Sequence, residues 1–231
     1  MKRYVRNGEN MRGRVRRLGS FCVYPVVLLL ALPLCAASPG VERTGPLAVP
    51  EASDDLKKTV EQKGYRVILD DGWSAEFWFA RVLVTASNGA AGALYPELAN
   101  GEFVGVVSFP KGSSDYRGQA IPAGVYTLRY QYIPQDANHM GVSPNPDFLL
   151  AIPVAADGDP SQNLPFKRLV SLSAKTTGTP HPAVIAMAPA GAPASVAKDE
   201  QGMTILTLEV PITASGKTEK IGIVVKGQAV Q

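Results

Sequence analysis

VYTLRYQYI, residues 125–133, carries the clearest strand signal in this sequence. Its side chains alternate with a period of two, which is typical of a strand with one buried face and one wetter face. The apolar face is expected to comprise Tyr126, Leu128, Tyr130 and Tyr132, and the wetter face Val125, Thr127, Arg129 and Gln131. Burying one large apolar side chain stabilises a fold by ~1.5–3 kcal/mol, so we predict that this strand anchors the core.

Similar runs precede and follow this strand, separated by Gly, Pro, Asn and Asp. The pattern predicts further strands at 65–69, 75–83, 102–109, 148–154, 184–187, 204–212 and 221–225. About eight strands at short spacing indicate a mainly β domain over residues 64–231. We predict an antiparallel β-sandwich, immunoglobulin-like or jelly-roll-like, with one inserted short helix.

The inserted helix is predicted at 165–175, PFKRLVSLSAK, because Phe166, Leu169 and Val170 recur three and four residues apart. Pro165 is typical of a helix start, and Gly178 of a helix end. Residues 39–63 are predicted to form a linker, because their first part is rich in Pro and small residues. Within it, 54–63 could form a short helix capped by Ser53.

Residues 1–38 have the pattern of a secretory signal peptide, with seven basic residues before the apolar run FCVYPVVLLLALPLCAA at 21–37. The sequence therefore predicts export to the periplasm or the extracellular space. Two alternatives stay open, since an uncleaved signal would anchor the chain in a membrane and a lipidated Cys35 would tether it there. Membrane attachment is expected only by these two routes.

Charge and cysteine content narrow the class of function. The chain has 23 basic and 20 acidic residues, but without residues 1–38 these become 16 and 19, so the predicted mature domain carries about −3. We therefore expect no nucleic-acid partner. Both cysteines, Cys22 and Cys35, lie in the predicted signal, so thiol catalysis and disulfides are not expected in the mature chain.

The stretch IPAGVYTLRY at 121–130 contains Pro-Ala-Gly-x-Tyr-x-Leu, and Asn138-His139-Met140-Gly141 and His181-Pro182 follow it. With these motifs the chain resembles uncharacterised exported bacterial β-sandwich proteins over roughly residues 64–226. The resemblance implies a secreted sandwich domain and carries over no catalytic residue.

Two stiff loops hold the two histidines, QDANHMGVSPNPD at 135–147 and Thr179-Pro180-His181-Pro182. Turns built by proline and Asn or Asp side chains need no chemistry, so a purely structural role is one interpretation. The other is a divalent metal site of two histidines and one carboxylate. Its candidate ligands are His139, His181 and either Asp136 or Asp147.

A few further side chains are candidates for ligand binding. Asn138 neighbours His139, Arg117 could pair with Asp115 or reach a ligand, and Trp73 lies in a predicted turn where an aromatic ring could be exposed. No phosphate-binding glycine loop, dinucleotide fingerprint or Gly-x-Ser-x-Gly elbow is present. We predict a non-enzymatic exported module that needs no cofactor and binds an envelope or extracellular partner. The alternative is a metal-dependent hydrolase that uses His139 and His181.

Overall fold

The computed structural model describes residues 40–86, 91–133, 142–212 and 217–227. The ten strands of its main sheet are β1 (Gly40–Thr44), β2 (Gly64–Ile68), β3 (Ser74–Phe79), β4 (Phe103–Phe109), β7 (Gly124–Tyr132), β8 (Asp147–Pro153), β9 (Ala183–Ala188), β10 (Ser195–Lys198), β11 (Thr204–Pro211) and β12 (Thr218–Lys226). A separate small hairpin pairs β5 (Ser113–Ser114) with β6 (Ala120–Ile121). The helices are α1 (Asp54–Thr59) and α2 (Phe166–Thr177), with a 3₁₀ turn at Val154–Ala156.

The main sheet runs in the order β1-β2-β3-β4-β7-β8-β9-β12-β11-β10, and every neighbouring pair is antiparallel. Its two edge strands, β1 and β10, approach one another, so the sheet is nearly closed. All eight strands predicted from the alternation pattern are present. The prediction of a mainly β, antiparallel fold is therefore confirmed.

The largest apolar cluster lies on the concave side of this sheet and draws side chains from both of its halves. Phe77, Val107 and Leu128 from one half meet Leu208 and Ile223 from the other, and all five are at most 2% exposed. Because these contacts join strands distant in sequence, this cluster holds the two halves of the sheet together.

The second face of β7 differs from its prediction. Thr127, Arg129 and Gln131 are at most 2% exposed, although the alternation pattern indicated a wetter face. The reason is tertiary, since residues 154–165 and α2 cover this side of the sheet. Leu169 and Leu172 of α2 pack against Leu150 of β8 in a second apolar cluster.

Helix α2 confirms the prediction for residues 165–175. It follows Pro165 and ends at Gly178, which adopts the left-handed conformation (φ 65°) and donates its N–H to Ala174 O. On its buried side, Ser173 and Thr176 donate hydrogen bonds to Ala151 O at 2.8 and 2.9 Å. These bonds tie the helix to β8 and orient its first turn toward the end of β7.

Residues 40–63, predicted as a linker, are part of the folded unit. β1 pairs with β2 over its whole length, and Leu56 of α1 is fully buried. Ser53 caps α1 by accepting the Leu56 N–H at 3.1 Å, as the sequence predicted. β10, which the sequence did not predict, lies in a segment rich in Ala and Pro and pairs with β11 through a short hairpin.

Among the described residues, no helix is long and apolar enough to cross a bilayer.

Candidate functional site

A large cavity lies between the two edges of the sheet. It has a volume of about 790 Å³, within the ~300–1,000 Å³ range of ligand-binding clefts. All of β10 lines it, together with the start of β1, the end of β2 and the turn that follows β2. We call this cavity the edge cleft.

On its cleft side, the backbone of β10 has hydrogen-bonding groups with no partner among the described residues. Asp199 N donates to Met203 O at 3.0 Å, which fixes the register of the β10–β11 hairpin. Along an antiparallel strand, the backbone N–H and C=O groups of alternate residues point toward one neighbouring strand and away from it. Val196 and Lys198 therefore direct their N–H and C=O groups away from β11 and toward the cleft.

Charged side chains lie at one end of the edge cleft. Asp71, in the β2–β3 turn, forms an exposed ion pair with Lys226 at the end of β12. Asp70 and Lys198 are also exposed cleft residues. Val41, Ile68 and Val196 are half-buried and form an apolar wall. The cleft thus combines a strand edge, an apolar surface and charges of both signs.

Asp147, a candidate metal ligand, is fully buried at the start of β8, and its carboxylate is already occupied. One oxygen accepts the Tyr95 N–H at 3.0 Å and the Tyr130 hydroxyl at 2.7 Å. The other oxygen accepts the Leu94 N–H at 2.8 Å. Three donors satisfy this carboxylate, so its role here is to tie the loop before β4 to the ends of β7 and β8.

His181, the other candidate ligand in the described residues, lies at the opposite end of the same strand pair. Its ring is exposed, and its described hydrogen bonds use the backbone, which binds the Thr177 and Thr179 hydroxyls. Ala183 pairs with Ala151 and Ala186 with Phe148, so His181 and Asp147 are about six residues apart along β8, roughly 20 Å. The structure does not bring these two residues together.

The other members of the predicted metal and ligand sites, Asp136, Asn138 and His139, lie outside the described residues. In the part of the chain that the structure describes, no three His, Cys, Asp or Glu side chains are grouped so as to hold a metal ion. His181 and Asp147 are therefore too far apart to bind the same metal ion. A site that contains both His139 and His181 would need a ligand other than Asp147.

Arg117 reaches a structural partner. Its guanidinium donates to Pro182 O at 2.6 Å and lies 3.6 Å from the Asp115 carboxylate. Asp115 is buried and also accepts the backbone N–H groups of Arg117 and Gln119, at 3.0 and 2.8 Å. These contacts fix the β5–β6 hairpin against the loop that precedes β9.

Trp73 is half-buried and packs on the largest apolar cluster, on the concave side of the sheet, with its ring 6.2 Å from that of Phe109. The other tryptophan, Trp78, is 3% exposed and donates its indole N–H to Gly45 O at 2.9 Å. Both rings therefore pack against other side chains of the fold. The ring surface that is buried in this way is not available for a ligand to stack on.

A buried ion pair that the alternation pattern did not indicate lies beneath α2. Arg129 and Asp157 make two parallel hydrogen bonds of 2.8 Å, and both side chains are at most 2% exposed. Asp157 also accepts the Thr127 hydroxyl at 2.7 Å. Two carboxylates in Asp157-Gly158-Asp159 have the spacing of the first ligands of a calcium loop, but Asp157 neutralises Arg129 instead. In the sequence, the one signal for this ion pair was an Asp-rich turn that begins 28 residues after Arg129.

The described groups with a raised pKa include half-buried Glu102 and buried Tyr95. Burial raises the pKa of Glu102, although the Val84 N–H and Arg129 oppose the shift. Burial also raises the pKa of Tyr95 to about 12, although its oxygen accepts the Gly222 N–H. Both groups already bond to backbone, at 2.9 Å from Glu102 to Val84 N and 2.5 Å from Tyr95 to Ala188 O. Neither lines a cavity described above.

Comparison with known proteins identifies no relative. No family model matches the chain, and neither the curated proteins nor the solved structures contain a match. Arguments about function therefore depend on the geometry of this chain alone.

Proposed function

We propose that this protein is an exported, non-catalytic module that binds an extended peptide segment of an envelope or extracellular partner along the edge of β10. The observation that carries the proposal is the edge cleft of about 790 Å³, lined along one side by the whole of a strand edge with which no described strand pairs. Addition of a strand to such an edge is a common mode of peptide recognition, because main-chain hydrogen bonds supply the affinity.

The direction of the strands favours β10 as the receiving edge. Nine successive antiparallel pairings separate β1 from β10, so these two edges run in opposite directions. A single segment placed between them pairs antiparallel with only one. β10 contributes its full length to the cleft, whereas β1 contributes only Gly40 and Val41. The segment therefore pairs with Val196 and Lys198.

Buried polar chemistry supports binding rather than catalysis. Three deeply buried carboxylates, Asp115, Asp147 and Asp157, all accept hydrogen bonds from nearby backbone or side-chain donors. A catalytic acid or base needs an exchangeable proton within reach of a substrate. These carboxylates instead hold loops in place.

The proposal also covers the arrangement of the sheet and the fate of residues 1–38. The two halves of the sheet act as the facing layers of a β-sandwich, because the main cluster joins them. Residues 1–38 direct export and are removed, as their basic and apolar pattern suggests. Mass spectrometry of the mature N-terminus tests the second statement, since a retained leader or a lipid on Cys35 would give a distinct mass.

The binding proposal is tested with the variant Val196→Pro. Proline removes the outward N–H of Val196, but the β10–β11 hydrogen bonds use Ser195 and Ala197 and are kept. The matched control is Val196→Thr, which keeps the N–H. A diverse peptide library is selected on the mature protein, and the affinity of the selected peptides is then measured on all three forms.

We expect selected peptides to alternate apolar and polar residues, to bind wild type and Val196→Thr alike, and to bind Val196→Pro at least tenfold more weakly. An unchanged melting temperature in both variants confirms that folding is intact. Equal binding to Val196→Pro, or a library that yields no binder, refutes the proposal.

A further inference from the structure

A second cavity, of about 280 Å³, lies on the other side of the sheet, where β7 ends beside the first turn of α2. Gln131 of β7 and Asn100 of the loop before β4 contribute amide groups to its wall. Phe166 contributes an aromatic ring, and its side chain is 43% exposed. We call this cavity the helix-end pocket. It shares no lining residue with the edge cleft.

The first residue of α2, Phe166, lines the helix-end pocket. No side chain caps the helix, and the first turn contains no acid. Arg168 N and Leu169 N both donate to Pro165 O, at 2.8 and 3.1 Å, whereas the N–H groups of Phe166 and Lys167 have no acceptor among the described residues. The N-terminus of a helix is stabilised by a nearby negative charge. The charged side chains in the first turn of α2, Lys167 and Arg168, are instead both positive.

Gln131 gives a second and independent indication. It is 2% exposed and lines the helix-end pocket, and its Nε2 has no hydrogen-bond partner in the part of the chain that the structure describes. Leaving a buried amide donor unpaired costs about 1–3 kcal/mol. A leucine of similar size at position 131 would avoid this cost. The amide of Gln131 is explained if a ligand in the pocket supplies a hydrogen-bond acceptor.

We propose that the helix-end pocket binds the carboxylate of a small organic acid with an apolar or aromatic body. Gln131 Nε2 and the N–H group of Phe166 are the donors, and the Phe166 ring contacts the body of the ligand. No cationic side chain lines the pocket, although Lys167 and Arg168 lie close by. This favours a single negative charge over a phosphate dianion, which is typically held by Arg or Lys.

The test uses four probes of known charge: benzoate, cyclohexanecarboxylate, the neutral analogue benzamide, and phenyl phosphate. Isothermal calorimetry on the mature protein is expected to give saturable binding of the two carboxylates. Benzamide is expected to bind at least tenfold more weakly, because it lacks the charge that the helix start recognises. Benzamide or phenyl phosphate binding as tightly as benzoate overturns the assignment, and so does the absence of carboxylate binding.

The variant Gln131→Leu separates a binding role from a structural one. Loss of a charge-assisted hydrogen bond should weaken benzoate binding by tenfold or more. The same change removes an unpaired buried donor, so the melting temperature should stay equal or rise. Gln201→Leu, at an exposed turn far from the pocket, is the control and should bind as wild type. Full benzoate affinity in Gln131→Leu overturns the proposal.

Discussion

Arg129 and Asp157 form a two-pronged ion pair in the interior, with both N–O distances at 2.8 Å. Arg129 makes further hydrogen bonds to the carbonyl oxygens of Gly101 and Gln162, at 3.2 and 2.9 Å. One guanidinium thus fastens the loop before β4 and the segment before α2 to the middle of β7.

Removing one partner of this pair should be severely destabilising. Arg129→Met leaves Asp157 charged and buried, so we expect the free energy of unfolding to fall by about 3–5 kcal/mol. Denaturant titration followed by circular dichroism measures the change. Lys58→Ala, which breaks an exposed pair with Asp55, is the control and should cost less than about 0.5 kcal/mol.

The double variant Arg129→Met/Asp157→Leu should lose less stability than the sum of the two single changes, because neither charge is left alone. It should stay below wild type, since the carbonyl groups that Arg129 binds lose their donor. Strict additivity would show that the pair is not coupled.

The carboxylate of Asp147 should prove structural. Asp147→Asn replaces one acceptor oxygen with a donor facing the N–H of Leu94 or the donors of Tyr95 and Tyr130. We expect a loss of about 1.5–3 kcal/mol in unfolding free energy, as for hydrogen bonds to a charged group. Amide hydrogen exchange should increase first in the loop around Leu94. Unchanged exchange there would contradict the assignment.

Stability should fall in alkaline solution because of Tyr95. Its pKa is about 12 in the folded protein and near 10 in the unfolded chain, so between pH 10 and 12 the unfolded state loses the proton and the folded state keeps it. The free energy of unfolding should therefore be unaffected below pH 10. It should then decrease with rising pH by up to about 2–3 kcal/mol.

Tyr130, whose pKa burial also raises, titrates in the same direction. Tyr95→Phe should reduce the slope above pH 10 and also lower stability at neutral pH, because Ala188 O and Gly222 N lose their shared partner. Denaturation midpoints from pH 8 to 12 give both quantities. An identical slope in Tyr95→Phe would rule out this residue as the source.

Divalent metals provide the test of the alternative hydrolase function. For a binding module we expect zinc, manganese and calcium to leave the melting temperature unchanged, since a ligand of the native state would raise it. His181→Ala should also leave stability within about 0.5 kcal/mol, because its ring is exposed. A zinc-dependent rise that His139→Ala and His181→Ala both abolish would favour the hydrolase.

Local pattern was sufficient for most of the elements. Alternation predicted β7 and its seven companions, and the spacing of Phe166, Leu169 and Val170 predicted α2. The edge strands β1 and β10 were not predicted, because each is only four or five residues long and lies in a segment rich in Pro and small residues. Since these two strands line the edge cleft, the candidate binding surface was hidden from the sequence for the same reason.

The candidate site residues divide in the same way. Prolines marked Asp147 as part of a stiff loop, and Arg117 was expected to pair with Asp115 or reach a ligand, but only the fold shows that their hydrogen bonds are used internally. Gln131 attracted no attention in the sequence, since an amide at a strand end is ordinary until α2 covers it. Burial by a distant segment made it a candidate ligand donor.

The sequence alone determined the class of fold, the separate character of residues 1–38 and the absence of cysteine after Cys35, because each of these depends on composition or on a short period along the chain. Tertiary structure decided which polar side chains are neutralised and which remain free. Whether a carboxylate or an amide finds a partner depends on residues that are tens of positions away, as Arg129 and Asp157 are, and no local pattern encodes that distance.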